Sequence, residues 1–241
     1  MHARHSGSLS LVTGVGARGQ VGEAVAAALA ARGDTVILVS RGQGEVEERA
    51  RDLTSAGHRA VGYGCDLSDA TQVDALAARI RAEHGERLDA LVNLAGGWGS
   101  SGPVAASDPA HFDRMLRINL MTAYLSTRAF FPMLVAAKGS VVFFASETVI
   151  EGTKTAKVAG YAAAKAGVVA LMRSVADEGR ASGVRANALA PGSIRTGTNE
   201  ASMGAGARYV EREEVAAAVA FLTSSAASAI SNQIIRLQAH G

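Results

Sequence analysis

Residues 9–22 read Leu9-Ser10-Leu11-Val12-Thr13-Gly14-Val15-Gly16-Ala17-Arg18-Gly19-Gln20-Val21-Gly22, and an alanine-rich run with helical spacing follows. The stretch Leu9–Thr13 is short and largely apolar, as suits a strand buried on both faces of a parallel sheet. The glycines then fit two overlapping patterns. Gly14, Gly16 and Gly19 match G-x-G-x-x-G, whereas Gly16, Gly19 and Gly22 match G-x-x-G-x-x-G. In either reading glycine permits a tight turn and lets backbone amides approach a pyrophosphate at the N-terminus of the next helix. An ordinary flexible turn would explain a glycine motif standing alone. The strand before it and the helix after it supply the context that a dinucleotide site requires, with contacts expected from Gly14, Gly16, Arg18, Gly19, Gln20 and Val21.

The same alternation continues outward from this loop. Further strand-like runs occupy Thr35–Ser40, Arg59–Tyr63, Leu88–Leu94, Ser140–Ser146, Val184–Ala190 and Gln233–Leu237. Segments with helical spacing lie between them at Gly22–Ala31, Glu45–Ala56, Asp69–His84, Pro109–Ala137, Gly160–Ala181 and Arg212–Ser224. Gly33, Gly57, Gly85, Gly139 and Gly183 each follow a helical run, where a left-handed cap favours glycine. Ser107-Asp108-Pro109 gives the opposite signal, a capping side chain followed by proline in the first turn. Strands joined by helical crossovers make a doubly wound, Rossmann-type α/β sheet. No composition break divides the chain, so a single domain over residues 9–241 is expected, preceded by a flexible arm at residues 1–8.

Composition excludes several classes. The chain has 241 residues with 27 glycines but only 4 prolines and no triplet period, which fits neither a fibre nor a Pro-rich disordered chain. Its 24 basic and 22 acidic residues nearly balance, and no run of like charge marks a nucleic-acid footprint. Cys65 stands alone, so no internal disulfide or cysteine-built metal site is expected. No long unbroken apolar run marks a membrane span, and Met1–Ser8 lacks the apolar core of a secretion signal. A cytoplasmic location without membrane contact is the corresponding expectation.

The second strand reports on the ribose that would lie beside it. A carboxylate at its end accepts from the ribose hydroxyls of NAD. Here the position is Ser40, followed by Arg41. Nothing there repels a 2′-phosphate, and a guanidinium binds one in bidentate fashion. Arg18 adds a second candidate cation, so NADP(H) is expected in preference to NAD(H).

Tyr161 and Lys165 lie four residues apart, on one face of an expected helix. A free phenol has a pKa of about 10 and exchanges protons poorly at neutral pH. A neighbouring ammonium stabilises phenolate and lowers that value. Tyr161 is thus a candidate acid/base for a substrate oxygen while hydride moves to or from the cofactor. Taken alone, such a pair is no more than a helix surface.

Its company changes the reading. In combination and order, the glycine-rich turn, Asp66, Asn93-Leu94-Ala95-Gly96, Asn119, Ser146, Tyr161-x-x-x-Lys165 and Asn187-Ala188-Leu189-Ala190-Pro191-Gly192, continuing to Ile194 and Thr196, resemble the short-chain dehydrogenase/reductase family along nearly the whole chain. The resemblance implies a seven-stranded parallel sheet of order 3-2-1-4-5-6-7 and an oxidoreductase acting on a carbonyl/alcohol pair. It implies that Ser146 holds the substrate oxygen and that Tyr161 is the general acid/base. Lys165 would hold the nicotinamide ribose and tune Tyr161, with Asn119 holding a water behind it. Asp66 and Leu67 would contact adenine, Asn93, Ala95 and Gly96 the adenosine and ribose path, and Pro191, Gly192, Ile194 and Thr196 the nicotinamide end. No metal is implied.

Two departures stand out. The glycine loop is two residues longer than the family's commonest form, and so is the Ser146–Tyr161 segment. Thr148 is a rival hydroxyl to Ser146, which is preferred because it directly follows the apolar run Val141–Ala145. The polar stretch Glu147–Lys157 is expected to shape the substrate pocket, Trp98 either to stand at its mouth or to pack, and residues 193–208 to form a substrate lid. Apolar faces on the two longest helices, with the resemblance, suggest a homo-oligomer, a tetramer or a dimer. A 3-oxoacyl-thioester reductase is a narrower alternative. A non-catalytic dinucleotide sensor is an alternative of another class, disfavoured by the intact Ser146, Asn119, Tyr161 and Lys165.

Overall fold

The computed structural model describes residues 7–239. Apart from Gly7 and Ser8, the expected arm falls outside them, as do His240 and Gly241. Seven strands alternate with helices: β1 (Leu9–Thr13), α1 (Val21–Ala31), β2 (Thr35–Ser40), α2 (Gln43–Ser55), β3 (Arg59–Gly64), α3 (Ala70–His84) and β4 (Ala90–Asn93). The second part adds α4 (Pro109–Leu116), α5 (Thr122–Ala137), β5 (Ser140–Phe144), α6 (Ala159–Gly179), β6 (Arg185–Pro191), α7 (Gly197–Met203), α8 (Arg212–Leu222) and β7 (Ile234–Leu237). All strand pairs are parallel and the order is β3-β2-β1-β4-β5-β6-β7, as the resemblance implied. The order reverses between β1 and β4, and the crevice at such a switch point is where this architecture binds ligands.

Alternate strand residues feed two core layers. Leu11, Ile37, Leu91 and Phe143 pack with Ile80 of α3, Phe130 of α5 and Met172 of α6. Val12, Val36, Val92 and Leu189 pack on the opposite face with Leu29 of α1, Val46 of α2 and Val219 of α8. This two-sided burial explains why the strands read as continuous rather than alternating apolar runs. Helix starts are set by acidic caps. Asp69 accepts from the amides of Thr71 and Gln72, Asp108 accepts from that of Ala110 ahead of Pro109, and Glu211 and Glu214 form a reciprocal capping box.

Two expectations need correction. Gly33, Gly57, Gly85 and Gly183 do take positive φ, but at the joint into β5 the left-handed residue is Lys138, at φ 55°. Gly139 is required there for space instead: a Cβ on it would lie 2.6 Å from the carbonyl oxygen of Leu88. The run 109–137 is also not one regular helix. A widened π-type turn at Arg117–Met121 separates α4 from α5 and carries Asn119. By length and composition, with mean hydropathy 1.3, this helical span would suit a membrane crossing. Its Met115, Asn119, Phe130, Met133 and Leu134 are buried in the protein, as in a core helix.

Candidate active site

The glycine loop is held by contact with the loop after β4. Gly14 has φ 77°, and a Cβ on it would lie 2.9 Å from the backbone N and Cα of Ala95. Thr13 Oγ1 accepts from the amides of Leu94 (3.0 Å) and Ala95 (3.1 Å) and donates to the carbonyl of Val92 (3.2 Å). Thr13 is thus a site-building residue that the glycine pattern alone did not single out. Gly19 also has positive φ, and a Cβ on Gly22 would stand 2.7 Å from the oxygen of Gly14. The backbone demands therefore fall on Gly14, Gly19 and Gly22, drawn from both sequence patterns. Gly16 is the least constrained, with only the Glu45 carboxylate near its missing side chain. Helix α1 begins at Val21 with Gln20 as its N-cap, and the Gly19 amide donates to Glu23. Gln20 Nε2 also donates to Thr198 of α7 at 3.2 Å, tying the loop to the segment after β6.

The two candidate cations at the ribose position part company. Arg41 is exposed at the exit of β2. Arg18 turns onto α2, donating to Glu48 (2.8 Å) and Asp52 (2.9 Å). Its charge is directed at these carboxylates, so the second cation expected for a phosphate is not presented in this arrangement. Ser40 Oγ reaches the carbonyl of Gly42 at 3.4 Å. Asp66 accepts from the amide and the hydroxyl of Ser68, which hold its carboxyl below the usual range with help from Arg41. The Leu67 side chain is buried in the core. The Asn93 side chain is buried too and donates to Thr127 of α5 at 2.8 Å, while its Oδ1 has no protein partner. It braces the sheet against α5.

Ser146, Tyr161 and Lys165 come together at the carboxyl ends of β4, β5 and β6. Ser146 follows β5 by two residues and its Oγ accepts from the Thr148 amide. Its hydroxyl lies close enough to the Tyr161 phenol to favour the ionised form. Lys165 lies one turn along α6 from Tyr161, as the four-residue spacing requires. Its Nζ donates to the carbonyl of Phe144 at 2.8 Å and lies 5.7 Å from the centre of the Tyr161 ring. Burial with this single partner lowers the Lys165 pKa to about 8. Burial also pushes the Tyr161 phenol up; the Ser146 hydroxyl opposes this and the Glu147 charge adds to it. The lowering expected from Lys165 is not among these influences, and desolvation is the largest of them.

Asn119 is buried in the π-type turn beside the loop after β4. Its Oδ1 accepts from the Gly97 amide (3.1 Å), and its Nδ2 donates to the carbonyls of Gly97 (3.0 Å) and Met115 (3.0 Å). It clamps the loop after β4, and a Cβ on Gly96 would collide with its Oδ1 at 2.5 Å. Pro191 ends β6, Ile194 pairs with Val210, and Thr196 caps α7 by accepting from the Asn199 amide. Arg195 secures α7 through Glu200 (2.8 Å) and Glu211 (2.9 Å).

These elements enclose a cavity of about 390 Å³. Its walls include Val21, Gly96, Ser146, Tyr161, Lys165, Pro191, Gly192 and Ile194 among the expected residues. Trp98, which is 69% exposed, and Met203 of α7 form an apolar rim. Glu147, Thr148, Asn199 and Ser202 line it as well. Of the stretch Glu147–Lys157 expected to shape the pocket, Glu147 and Thr148 line this cavity. The cradle fits a nicotinamide dinucleotide: backbone approaches closely at Gly14 and Gly22, and Lys165 has two ammonium donors beyond its bond to Phe144.

A model of the family described as short chain dehydrogenase matches residues 10–205. The cis-4-hydroxycyclohexanecarboxylate dehydrogenase of Sinomonas cyclohexanicum is 37% identical over 231 residues, covering 91% of each chain. Among solved structures, a levodione reductase superimposes with TM-score 0.86 at 32% identity, covering 96% of each chain. A gluconate 5-dehydrogenase from Burkholderia cenocepacia, in complex with NADP and tartrate, does so with TM-score 0.88 at 26% identity, over 98% of this chain and 95% of that one.

Proposed function

The chain belongs to the short-chain dehydrogenase family, and from that premise we propose that it interconverts a small carbonyl compound and its alcohol with Tyr161 as general acid/base. The enzyme class is an NAD(P)-dependent oxidoreductase. The observation that carries the proposal is the meeting of Ser146, Tyr161 and Lys165 on one wall of the cavity. The bound nicotinamide supplies or accepts the hydride. Ser146 holds the substrate oxygen beside the Tyr161 phenol, with which it lines the same cavity. In reduction the phenol donates its proton to that oxygen; in oxidation the phenolate withdraws it. Lys165 keeps donors for the nicotinamide ribose and places its charge beneath the Tyr161 ring. Because burial raises the phenol pKa, reduction holds up as pH rises toward that value, and oxidation falls as pH drops below it.

NADP(H) is favoured in this reading over NAD(H). Its support is the absence of a carboxylate at Ser40 and the exposed guanidinium of Arg41. Residues 193–208, including α7, form the substrate lid, for which the wall contributed by Asn199 and Met203 is the support. Exposed Met121, Tyr124 and Val135 on the Arg117–Ala137 stretch support a homo-oligomer. The setting is cytoplasmic. Absorbance at 340 nm with NADPH and NADH, against ketones, aldehydes and acyl thioesters, tests the function. Tyr161→Phe should lose about 10²–10⁴-fold in turnover, the range of positioned acid/base groups. Equal rates in the two proteins would overturn the mechanism, and a clear preference for NADH the cofactor assignment.

A further inference from the structure

Glu147 places a carboxylate at the reacting end of the cavity. It directly follows Ser146 and lines the cavity with it. A Cβ on Gly192 would stand 3.4 Å from Glu147 Oε2, so the carboxylate overlies the turn leaving β6. Its charge is felt at the Tyr161 phenol, where it opposes ionisation. Among the described residues the nearest guanidinium is that of Arg236, at 3.9 Å, the limit of an ion pair, and Arg236 is not part of the cavity wall. The other charged residue of that wall is Lys165, whose buried ammonium is bonded to the Phe144 carbonyl. The next residue, Thr148, also lines the cavity, and its hydroxyl is buried without a hydrogen-bond partner. A buried hydroxyl without a partner is costly unless something occupies the site.

We propose that Glu147 selects the substrate, accepting a hydrogen bond from a hydroxyl adjacent to the reacting carbonyl and repelling a carboxylate near that carbonyl. The substrates are then neutral hydroxyketones and the corresponding diols. A hydroxyl suits both neighbours, since it donates to Glu147 and accepts from Thr148. An ammonium group would satisfy only the first, because it has no acceptor. A carboxylate there would meet the Glu147 charge directly within the cavity. This inference rests on the oxidoreductase reading above.

The test uses the whole enzyme, its preferred reduced nucleotide and three ketones: 2-hydroxycyclohexanone, 2-methylcyclohexanone and 3-oxocyclohexanecarboxylate. The native protein should favour the hydroxyketone over the methyl ketone by at least ~10-fold in kcat/KM and favour the carboxylate least, since a site built for a hydrogen bond rejects an analogue lacking it. In Glu147→Gln, the carboxylate-to-methyl-ketone ratio should rise at least ~10-fold, whereas Glu147→Asp should keep the native ranking. Ratios within one protein cancel any general loss of activity or folding. A native enzyme that prefers the carboxylate, or a ratio unmoved in Glu147→Gln, overturns the assignment of Glu147 and leaves the oxidoreductase reading standing. Failure to reduce any ketone, or full turnover by Tyr161→Phe, overturns that reading and the assignment with it.

Discussion

The sheet buries a charged side chain at each end, and the two are treated in opposite ways. At the amino end, Asp34 enters β2 with its carboxylate only 4% exposed. Ser10 donates to it at 2.5 Å, and Arg32 donates from both Nε (3.2 Å) and a terminal nitrogen (2.6 Å). At the carboxyl end, Lys165 is just as inaccessible and bonds a single carbonyl. A buried charge supplied with partners serves the fold; one left short of partners costs stability and is retained where chemistry needs it. The pattern continues around the cavity, where the Thr148 hydroxyl is also without a partner.

Substitutions at the two ends should separate activity from stability. Lys165→Met should lose at least ~100-fold in kcat/KM while its melting temperature at pH 7 stays level or rises. The sign of the pH dependence follows from the lowered pKa. Between about 8 and the ordinary 10.5, the unfolded chain holds more protons at this group than the folded one. Native stability therefore gains with pH across that window, and the gain should vanish in Lys165→Met. A large drop in melting temperature at pH 7 would erase the contrast between the two ends. Asp34→Ala should do the reverse, lowering stability by about 2 kcal/mol in denaturant titration, because Arg32 and Ser10 lose their acceptor while the cavity is untouched. Smallest is a difference within the cavity: Ser146→Ala should reduce turnover about tenfold more than Thr148→Ala, since Ser146 and not Thr148 acts on the phenol. The opposite order would transfer the substrate oxygen to Thr148.

What the sequence discloses follows the same division. Ser146, Tyr161 and Lys165 were legible because the motifs around them occur in a fixed order, and the four-residue helical spacing then sets Lys165 one turn from Tyr161. The strand limits were legible to within two residues, and the reading overran where burial continues past a strand end, as at Leu88 and Ala145. Burial on both faces also hides side-chain direction, which is why Asn93 could not be seen to turn toward Thr127. The fate of Arg18 depended on Glu48 and Asp52, on the next helix, and so on how α1 and α2 pack. Asn119 was found by motif, but its grip on Gly97 follows from the π-type turn, which composition does not announce.

The strand order also bears on how the chain comes to be folded. The strand nearest the amino terminus, β1, lies between β2 and β4, in the interior of the finished sheet, while β7 forms an edge. As the polypeptide emerges from synthesis, β1, β2 and β3 can already associate through residues 9–64, and every later strand adds on the free side of β1. Each addition joins parallel segments separated by a whole helix, the kind of distant pairing that makes folding slow. Until β4 arrives, one side of β1 is an unpaired edge, so the first strand is both the template for the sheet and its most aggregation-prone element during assembly.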